Sequence, residues 1–217
     1  MAGRRVVIRT LDLGADKRTE AMDLNAGMSL GLGPRGIRLC LNCPELFRPQ
    51  LRALCRASVY GHLAVLLPMV TSTREITQVR DLLRGIRADL DREGIRYSDD
   101  MELGVMIETP AAAILSDQLA QEADFFSIGT NDLTQYTLAL DRQDGQIAAF
   151  AYEDDTAVMR LIALTAEHAH RAGIPVGICG EMAGSAERTE EFLNMGIEEL
   201  SLPPHTILPL REKICAM

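Results

Sequence analysis

The sequence predicts an α/β fold in which a parallel sheet is covered by helices. Three features indicate it: six short apolar runs, helical patterns between successive runs, and a polar or reactive residue at the end of nearly every run. The runs are Val6–Arg9, Ala64–Met69, Leu103–Ile107, Phe125–Ile128, Pro175–Cys179 and Glu199–Leu202. Most are continuously apolar rather than alternating, as expected of parallel strands that are buried on both faces.

The clearest helical pattern follows the second run. Ser72 and Glu75 form a capping-box sequence, in which a hydroxyl and a carboxylate satisfy the first backbone N–H groups of a helix. Apolar residues then recur at helical spacing as far as Leu90, and Gly94 is a natural stop. We expect one long helix between these positions.

Two further helices are indicated by their ends. Pro110, directly after Thr109, stands in a first helical turn, where its missing N–H costs nothing. Another helix has apolar residues spaced from Val158 to Ala169 and ends at Gly173. Each helix lies between two apolar runs, so the order of elements predicts crossover units and a parallel sheet.

Two more helices carry specific expectations. Ser185 is expected to cap one helix, in which Phe192 and Leu193 face inward. The other is expected over Pro44–Ser58. Pro49 should kink or shorten that helix, because proline lacks the N–H that an interior turn needs.

The polar residues at the ends of the runs favour a (β/α) barrel over an open doubly wound sheet. They are found at Arg9, Glu108, Thr130–Asp132 and Cys179–Glu181. Chemistry carried by many strand ends is typical of a barrel, whereas an open sheet uses one crevice. A full barrel has eight strands in about 250 residues. Residues 1–217 are therefore expected to form one barrel domain that lacks two strands.

The composition argues against several classes of protein. Of the 217 residues, 47% are apolar and 24% are charged, which is ordinary for a globular protein. A net charge of −9 and an aromatic content of 4% argue against a nucleic-acid surface. We expect neither membrane insertion nor a signal peptide. The sequence has five cysteines. Cys40 and Cys43 come closest to the spacing of metal ligands, but no second His/Cys group accompanies them. We therefore expect a reduced, cytoplasmic setting.

Glu108 and Asp132 are the candidate metal ligands. Each follows an apolar run, so both carboxylates are expected at the same rim of the sheet. Two carboxylates together with substrate oxygens commonly hold Mg²⁺. The alternative is that each is an acid at a helix start, where the helix dipole stabilises a negative charge.

Arginines supply the candidate anion site. Arg9, Arg35 and Arg142 could converge on an anion, because a planar guanidinium makes paired bonds to carboxylate or phosphate. Any one of them alone is more often part of a surface salt bridge. Gly31–Gly36 matches a dinucleotide-binding fingerprint but lacks an evident preceding strand. A loop that presents Arg35 and Arg38 to an anion fits better, and the alternative is a plain turn.

Cys179 is the candidate catalytic residue. It ends a strand, and Gly180 follows it and would let a substrate approach. A thiol there could donate a proton to carbon or act as a nucleophile. The alternative is a small buried hydrophobic residue, as we expect for Cys40, Cys55 and Cys215.

Taken together, these segments resemble the C-terminal, phosphoenolpyruvate (PEP)-binding barrel of phosphoenolpyruvate-protein phosphotransferase, the Enzyme I of the bacterial sugar phosphotransferase system. The resemblance runs through Val7–Asp12, Leu32–Arg38, Gly104–Pro110, Phe125–Tyr136 and Cys179–Gly184. It covers nearly the whole chain, and the FFSIGTNDLTQY stretch is long and specific. The resemblance implies a (β/α)8 TIM-type barrel of the PEP/pyruvate type without its first two strands.

The resemblance also implies roles for the candidate residues. Glu108 and Asp132 would hold Mg²⁺, and Cys179 would protonate the enolate carbon as pyruvate forms. The residues that would grip the phosphate and carboxylate of PEP are Arg9, Arg35, Asn131, Asp132 and Arg142.

In the family, the phosphoryl group passes to a histidine on a separate N-terminal domain, which is not in this sequence, and then to a downstream phosphocarrier protein. The same region carries the dimer interface in the family, so self-association is expected. Two alternatives remain open at this point. One is a remnant that binds PEP or pyruvate without turnover, and the other is a Mg²⁺-dependent pyruvate aldolase or lyase on a related barrel.

Overall fold

The computed structural model describes residues 3–12, 33–140 and 155–217. The chain divides into two compact units, Met1–Val105 (unit 1) and Met106–Met217 (unit 2). Within the described ranges, no helix combines the length and the hydrophobicity needed to cross a membrane.

Unit 1 contains parallel strands joined by helices. Its elements are β1 (Val6–Arg9), α1 (Gly36–Asn42), α2 (Pro44–Ala57), a 3-10 turn (Ser58–Tyr60), β2 (Leu63–Leu67), α3 (Thr73–Arg92) and β3 (Glu102–Ile107), whose last two residues belong to unit 2. Strand β2 pairs with β1 on one side, with Val6 opposite Leu63, and with β3 on the other, with Ala64 opposite Glu102. All five residues of β2 are buried, as a central parallel strand requires.

The long helix α3 confirms the capping-box prediction. The Ser72 backbone N–H donates to Glu75 Oε2 at 3.0 Å, and the Ser72 side chain accepts from the backbone N–H of Glu75. The helix ends at Arg92, two residues before the predicted stop. Its buried face consists of Ile76, Val79, Leu83, Ile86 and Leu90, so the apolar spacing identified the packed face correctly.

The prediction that Pro49 shortens its helix is wrong. α2 continues through Pro49 to Ala57. Proline removes one backbone hydrogen bond here, but the helix buries an apolar stripe on both sides of it, Phe47 before and Leu51 and Leu54 after. Packing of that stripe outweighs the local cost of the proline.

Unit 2 repeats the pattern of strand and helix. Its elements are α4 (Pro110–Ile114), α5 (Ser116–Leu119), β4 (Phe126–Gly129), α6 (Thr130–Leu138), α7 (Thr156–Ala172), β5 (Val176–Cys179), a 3-10 turn (Met182–Gly184), α8 (Thr189–Asn194), β6 (Glu199–Ser201) and α9 (Pro204–Ala216). Parallel pairing joins β4 to β5, with Phe126 opposite Val176, and β5 to β6, with Gly177 opposite Glu199.

Helix ends in unit 2 confirm two expectations and correct one. α4 begins at Pro110 as the sequence predicts, with the Thr109 hydroxyl accepting from the Ala112 N–H at 3.1 Å, and α7 ends directly before Gly173. Ser185 does not cap α8 with its side chain, since the helix begins only at Thr189. The Ser185 carbonyl instead accepts from the Thr189 hydroxyl at 3.0 Å.

The packing of α8 also differs from the expectation in part. Phe192 is fully buried, as predicted, but Leu193 is exposed. Neighbouring side chains in a helix point about 100° apart, and α8 directs Phe192 inward and Leu193 outward. The apolar character of Leu193 therefore says nothing about its direction.

Candidate active site

In unit 1, Asp12 joins two of the arginines predicted to bind an anion. Arg35 donates from Nε to Asp12 Oδ1 at 3.3 Å and from Nη2 to Oδ2 at 3.1 Å. Arg9, the last residue of β1, places Nη1 3.5 Å from the same Oδ2. The three side chains carry two positive charges and one negative charge. The group therefore retains a net positive charge, as an anion site requires.

The segment that carries Asp12 is held by main-chain and side-chain bonds. The Thr10 N–H donates to the Leu66 carbonyl of β2 at 3.0 Å, and the Leu11 N–H donates to Gln50 Oε1 of α2 at 3.1 Å. The Cys40 thiol of α1 donates to the Leu11 carbonyl at 3.5 Å. The chain just before Asp12 is thus fixed by three different elements.

Arg35 enters the group from the residue before α1, and Gly36 sets the position of that helix. A Cβ on Gly36 would lie 2.7 Å from Met69 Cβ and 3.2 Å from the Pro68 carbonyl oxygen. The helix start therefore touches the loop after β2 at a distance that only glycine allows. The Ile37 N–H donates to the same Pro68 oxygen at 3.2 Å.

Arg38 was predicted to face an anion together with Arg35, but its contacts lead elsewhere. It donates from Nη2 to Thr71 Oγ1 at 3.3 Å, and its Nε lies 3.8 Å from Glu75 Oε1 at the start of α3. Arg38 therefore ties α1 to α3, while Arg35 and Arg9 share Asp12.

In unit 2, the two predicted metal ligands are almost completely buried. Glu108, directly after β3, is 1% exposed, and Asp132, in the first turn of α6, is 7% exposed. A Cβ on Gly129 would lie 2.9 Å from Glu108 Oε2, so the carboxylate rests against a backbone that has no side chain. Gly129 ends β4 and stands three residues before Asp132. The end of β4 thus leaves space for the Glu108 carboxylate and is followed directly by the helix that contains Asp132.

This donor set fits Mg²⁺. The described residues contain no cluster of three or more His, Cys, Asp or Glu side chains arranged for a metal ion. Mg²⁺ does not require such a cluster, since it is commonly held by one or two carboxylates together with substrate phosphates and water. Two buried carboxylates, Glu108 against Gly129 and Asp132 three residues after that glycine, provide the hard oxygen ligands that this ion prefers.

The first residues of α6 also hold the loop after β5. Thr130 Oγ1 donates to the Cys179 carbonyl at 2.9 Å, and the Glu181 N–H donates to Asn131 Oδ1 at 2.9 Å. Asn131 is a predicted substrate ligand, and its side-chain oxygen accepts a hydrogen bond from the protein backbone. The start of α6, which contains Asp132, is therefore hydrogen-bonded to the residues before and after Gly180, Cys179 and Glu181.

Cys179 is the last residue of β5 and is half-buried. Its Cα pairs with that of Gly129 on β4. The hydroxyl of Ser127 donates to its sulfur at 3.7 Å. The Cys179 thiol therefore lies on β5, which is next to β4, and β4 ends at Gly129 beside Glu108.

The structure brings the predicted residues together in two groups, each within one unit. Arg9 and Arg35 meet in unit 1 through Asp12, while unit 2 contains Glu108, Asn131, Asp132 and Cys179. Arg142, the remaining predicted substrate ligand, lies outside the described residues.

Sequence reasoning missed three residues of these groups: Asp12, Ser127 and Thr130. Asp12 had a usable signal, since it is an acid three residues after Arg9 and close to the end of a strand. Ser127 interrupts an apolar strand two residues before Gly129, which also marks it as unusual. Thr130 was noted only as part of a polar strand end.

Comparison with known proteins gives one family over the whole sequence. Residues 1–217 match the family described as PEP-utilising enzyme, PEP-binding domain. The chain is 47% identical over 214 residues to the phosphoenolpyruvate-protein phosphotransferase of Staphylococcus epidermidis and 45% identical to that of Bacillus subtilis. Each alignment covers 99% of this chain, and the chain spans 37% and 38% of the length of these relatives.

Solved structures confirm the predicted fold. A citrate lyase from Burkholderia xenovorans has a TM-score of 0.55 and 19% identity, covering 78% of this chain and 53% of its own. A pyruvate kinase from Cryptosporidium parvum also has a TM-score of 0.55, with 13% identity, covering 78% of this chain and 34% of its own. These are barrel enzymes of the PEP/pyruvate type, and at such identities the likeness concerns the fold alone.

Proposed function

Because this chain belongs to the family of PEP-binding domains of PEP-utilising enzymes, we propose that it performs the PEP-dependent step of a phosphoenolpyruvate-protein phosphotransferase. In that step the phosphoryl group of PEP passes to a histidine on a separate domain, and pyruvate is released. The observation that carries the proposal is the 45–47% identity to named phosphotransferases over 99% of the chain. The burial of Glu108, which lies against Gly129, and of Asp132 supports it independently.

Arg9 and Arg35 are proposed to bind the phosphate and carboxylate groups of PEP. Asp12 holds the guanidinium of Arg35 through two nitrogens, which fixes its plane before a substrate arrives. Fixing the arginine in advance lowers the entropy lost on binding. Arg142, Asn131 and Asp132 complete the proposed set of substrate ligands, as the sequence resemblance implies.

Glu108 and Asp132 are proposed to hold Mg²⁺. The ion would supply positive charge that neutralises the phosphate oxygens during transfer. Phosphoryl transfer depends mostly on positioning and charge neutralisation. The buried carboxylates of unit 2 would serve the neutralisation of charge, and the fixed arginines of unit 1 would serve the positioning.

Cys179 is proposed to complete the conversion to pyruvate. The bond between phosphorus and the enol oxygen of PEP breaks, and phosphorus bonds to the histidine nitrogen. The enolate that remains takes a proton from the Cys179 thiol at its methylene carbon, so a C–H bond forms and a thiolate is left. Water returns the proton to the sulfur. The position of Cys179 on the strand beside Gly129 supports this role.

The partners follow from the same proposal. The chain would act with a phosphohistidine domain, from which the phosphoryl group would pass to a phosphocarrier protein in sugar transport, and it would function in the cytoplasm as a homodimer. The histidine supplies the acceptor nitrogen that the reaction needs.

Calorimetric titration with PEP, with and without Mg²⁺, tests the substrate and the metal site. We expect heat of binding that depends on Mg²⁺ and is lost in Glu108→Ala. Asp117→Ala, which removes an exposed acid from α5 of the same unit, should bind as the unchanged chain does. No binding by the folded chain, or equal binding by the Glu108 variant, would contradict the proposal.

Transfer is tested by adding a phosphohistidine domain in trans and measuring pyruvate release and phosphohistidine. Both products should appear together, in equal amounts. Pyruvate formed from oxaloacetate or a 4-hydroxy-2-oxo acid, without any phosphohistidine, would instead indicate an aldolase or lyase.

A further inference from the structure

Ser127 lies on the same face of β4 as Cys179 does on β5. In the parallel register, Ser127 is opposite Gly177 and Gly129 is opposite Cys179. Side chains alternate along a strand, so residues two apart share a face. Ser127 and Cys179 are therefore diagonal neighbours on one face of two adjacent strands.

Each of these two polar side chains has a glycine as its cross-strand partner. A Cβ on Gly177 would lie 3.0 Å from Glu199 Cβ and 3.2 Å from the Glu199 carbonyl oxygen, so the backbone of β6 closes the space opposite Ser127. A Cβ on Gly129 would lie 2.9 Å from Glu108 Cβ. Between β4 and β5, neither residue has a side chain directly opposite it, so the hydroxyl and the thiol meet across the diagonal.

The contact itself is a hydrogen bond. Ser127 Oγ donates to Cys179 Sγ at 3.7 Å, within the range of bonds to sulfur, and both residues are half-buried. A neutral thiol is a weak acceptor, but a thiolate is a charged one, and bonds to ionised groups are about twice as strong. The hydroxyl therefore favours the state in which Cys179 has given up its proton.

Other bonds fix the Cys179 backbone without touching its sulfur. Thr130 Oγ1 donates to the Cys179 carbonyl at 2.9 Å, and Asn131 Oδ1 accepts from the next residue but one, Glu181, at 2.9 Å. These bonds place the strand end. The bond from Ser127 reaches the side chain and so constrains the direction of the thiol.

We propose that Ser127 is the positioning residue for proton transfer at Cys179. This inference rests on the proposed function in assigning the proton to the enolate of pyruvate. The hydroxyl holds the sulfur in one orientation and donates to it as the S–H bond breaks and the C–H bond forms. Ser127 itself exchanges no proton with the substrate.

The first test measures the thiol without substrate or metal. The rate at which iodoacetamide alkylates Cys179 in the folded chain is followed by mass spectrometry of its peptide. Ser127→Ala should slow alkylation about tenfold, the effect expected for one hydrogen bond to a charged group. Ser201→Ala, which changes the residue opposite Cys179 on the other neighbouring strand, should leave the rate unchanged.

A pair of β-branched variants separates the hydroxyl from the packing. Ser127→Thr keeps the hydroxyl and Ser127→Val replaces it with a methyl group of similar shape, and both residues suit a strand. Alkylation in Ser127→Thr should be within about threefold of the unchanged chain, and Ser127→Val should match Ser127→Ala in a tenfold loss. Equal rates in the Thr and Val variants would overturn the proposal.

The second test measures proton transfer. In D₂O with Mg²⁺, the thiolate can remove a proton from the methyl group of pyruvate and return a deuteron, which proton NMR detects. We expect Ser127→Ala and Ser127→Val to slow this exchange about tenfold while the Kd for PEP stays within twofold. Unaltered exchange in both would overturn the role of Ser127.

The two tests separate the failure of this inference from that of the proposed function. If the unchanged chain neither binds PEP nor exchanges pyruvate protons, the proposed function is wrong. The assignment of the Cys179 proton to an enolate is then overturned as well, whatever the alkylation rates show. If binding and exchange are present but insensitive to the hydroxyl at position 127, the inference alone is wrong.

Discussion

Asp12 accepts hydrogen bonds from two nitrogens of Arg35, although the residues are 23 positions apart in the sequence. Only 4% of the Asp12 side chain and 13% of that of Arg35 are exposed, so solvent screens the pair very little. Arg9 lies against the same carboxylate at 3.5 Å. One buried acid therefore sets the directions of both arginines to which we assign substrate contacts.

Replacing Asp12 by alanine should lower the free energy of unfolding by about 3 kcal/mol, because it removes the carboxylate to which a buried guanidinium donates. Urea denaturation of both proteins measures the difference. Asp81→Ala is the matched control, since the Arg84–Asp81 pair is mostly exposed. It should cost less than about 1 kcal/mol. Equal losses in the two variants would contradict a special role for Asp12.

Arg35→Lys should weaken PEP binding about tenfold or more while keeping the charge. A lysine ammonium cannot make the paired bonds of a planar guanidinium, and a lost bond to a charged group has an effect of this size. Calorimetric titration with PEP and Mg²⁺ measures the affinity. Arg84→Lys, on the exposed face of α3, serves as the control and should bind normally. Unchanged affinity in Arg35→Lys would exclude this residue as a substrate ligand.

Gly180→Ala should destabilise the fold by roughly 3 kcal/mol and weaken PEP binding. Gly180 has a φ of +99°, and a Cβ there would clash with Thr130 Oγ1 and lie 2.8 Å from Asn131 Oδ1. The new methyl group would push these two side chains away from the loop that follows Cys179.

Gly173→Ala is the control for backbone strain alone. Gly173 also has a positive φ, +72°, but a Cβ there meets no atom within 4 Å. It should cost about 1 kcal/mol and leave PEP binding intact. Urea denaturation and calorimetry on both variants separate the two effects, and an equal cost in both would show that crowding at Gly180 is unimportant.

Cys40 should make stability fall at alkaline pH. Burial, then the nearby charges of Asp12 and Cys43, raise the pKa of its thiol from 9.0 to about 12. A folded pKa above the unfolded one stabilises the protein fully below pH 9, and this contribution is lost as pH rises towards 12. Between pH 9 and 11, Cys40→Ala should therefore lose stability less steeply than the unchanged chain, by up to about 1.4 kcal/mol per pH unit.

The measurement is urea denaturation at several pH values, and the difference between the two proteins cancels the titration of other groups. Cys215→Ala, which removes a thiol that is exposed rather than buried as the sequence predicted, should follow the unchanged chain at every pH. Parallel curves for Cys40→Ala and the unchanged chain would contradict the raised pKa.

The sequence by itself determined the order of strands and helices and most of their ends. Continuous apolar runs, the capping box at Ser72 and the Thr109-Pro110 helix start all depend on bonds between residues a few positions apart, so the local sequence contains the information. The sequence also showed that Glu108, Asp132 and Cys179 stand at or just after the ends of apolar runs. Those positions predict a shared site, because parallel strands end at the same rim of a sheet.

Only the tertiary structure decided which distant residues meet. Asp12 with Arg35, and Ser127 with Cys179 52 residues later, depend on helix placement and on strand register, which no local pattern encodes. The same applies to Pro49, which local propensity places at a helix break but which the packed face of α2 retains inside a helix. Local hydrogen bonding thus fixes the elements, whereas packing over long sequence separations fixes the candidate site.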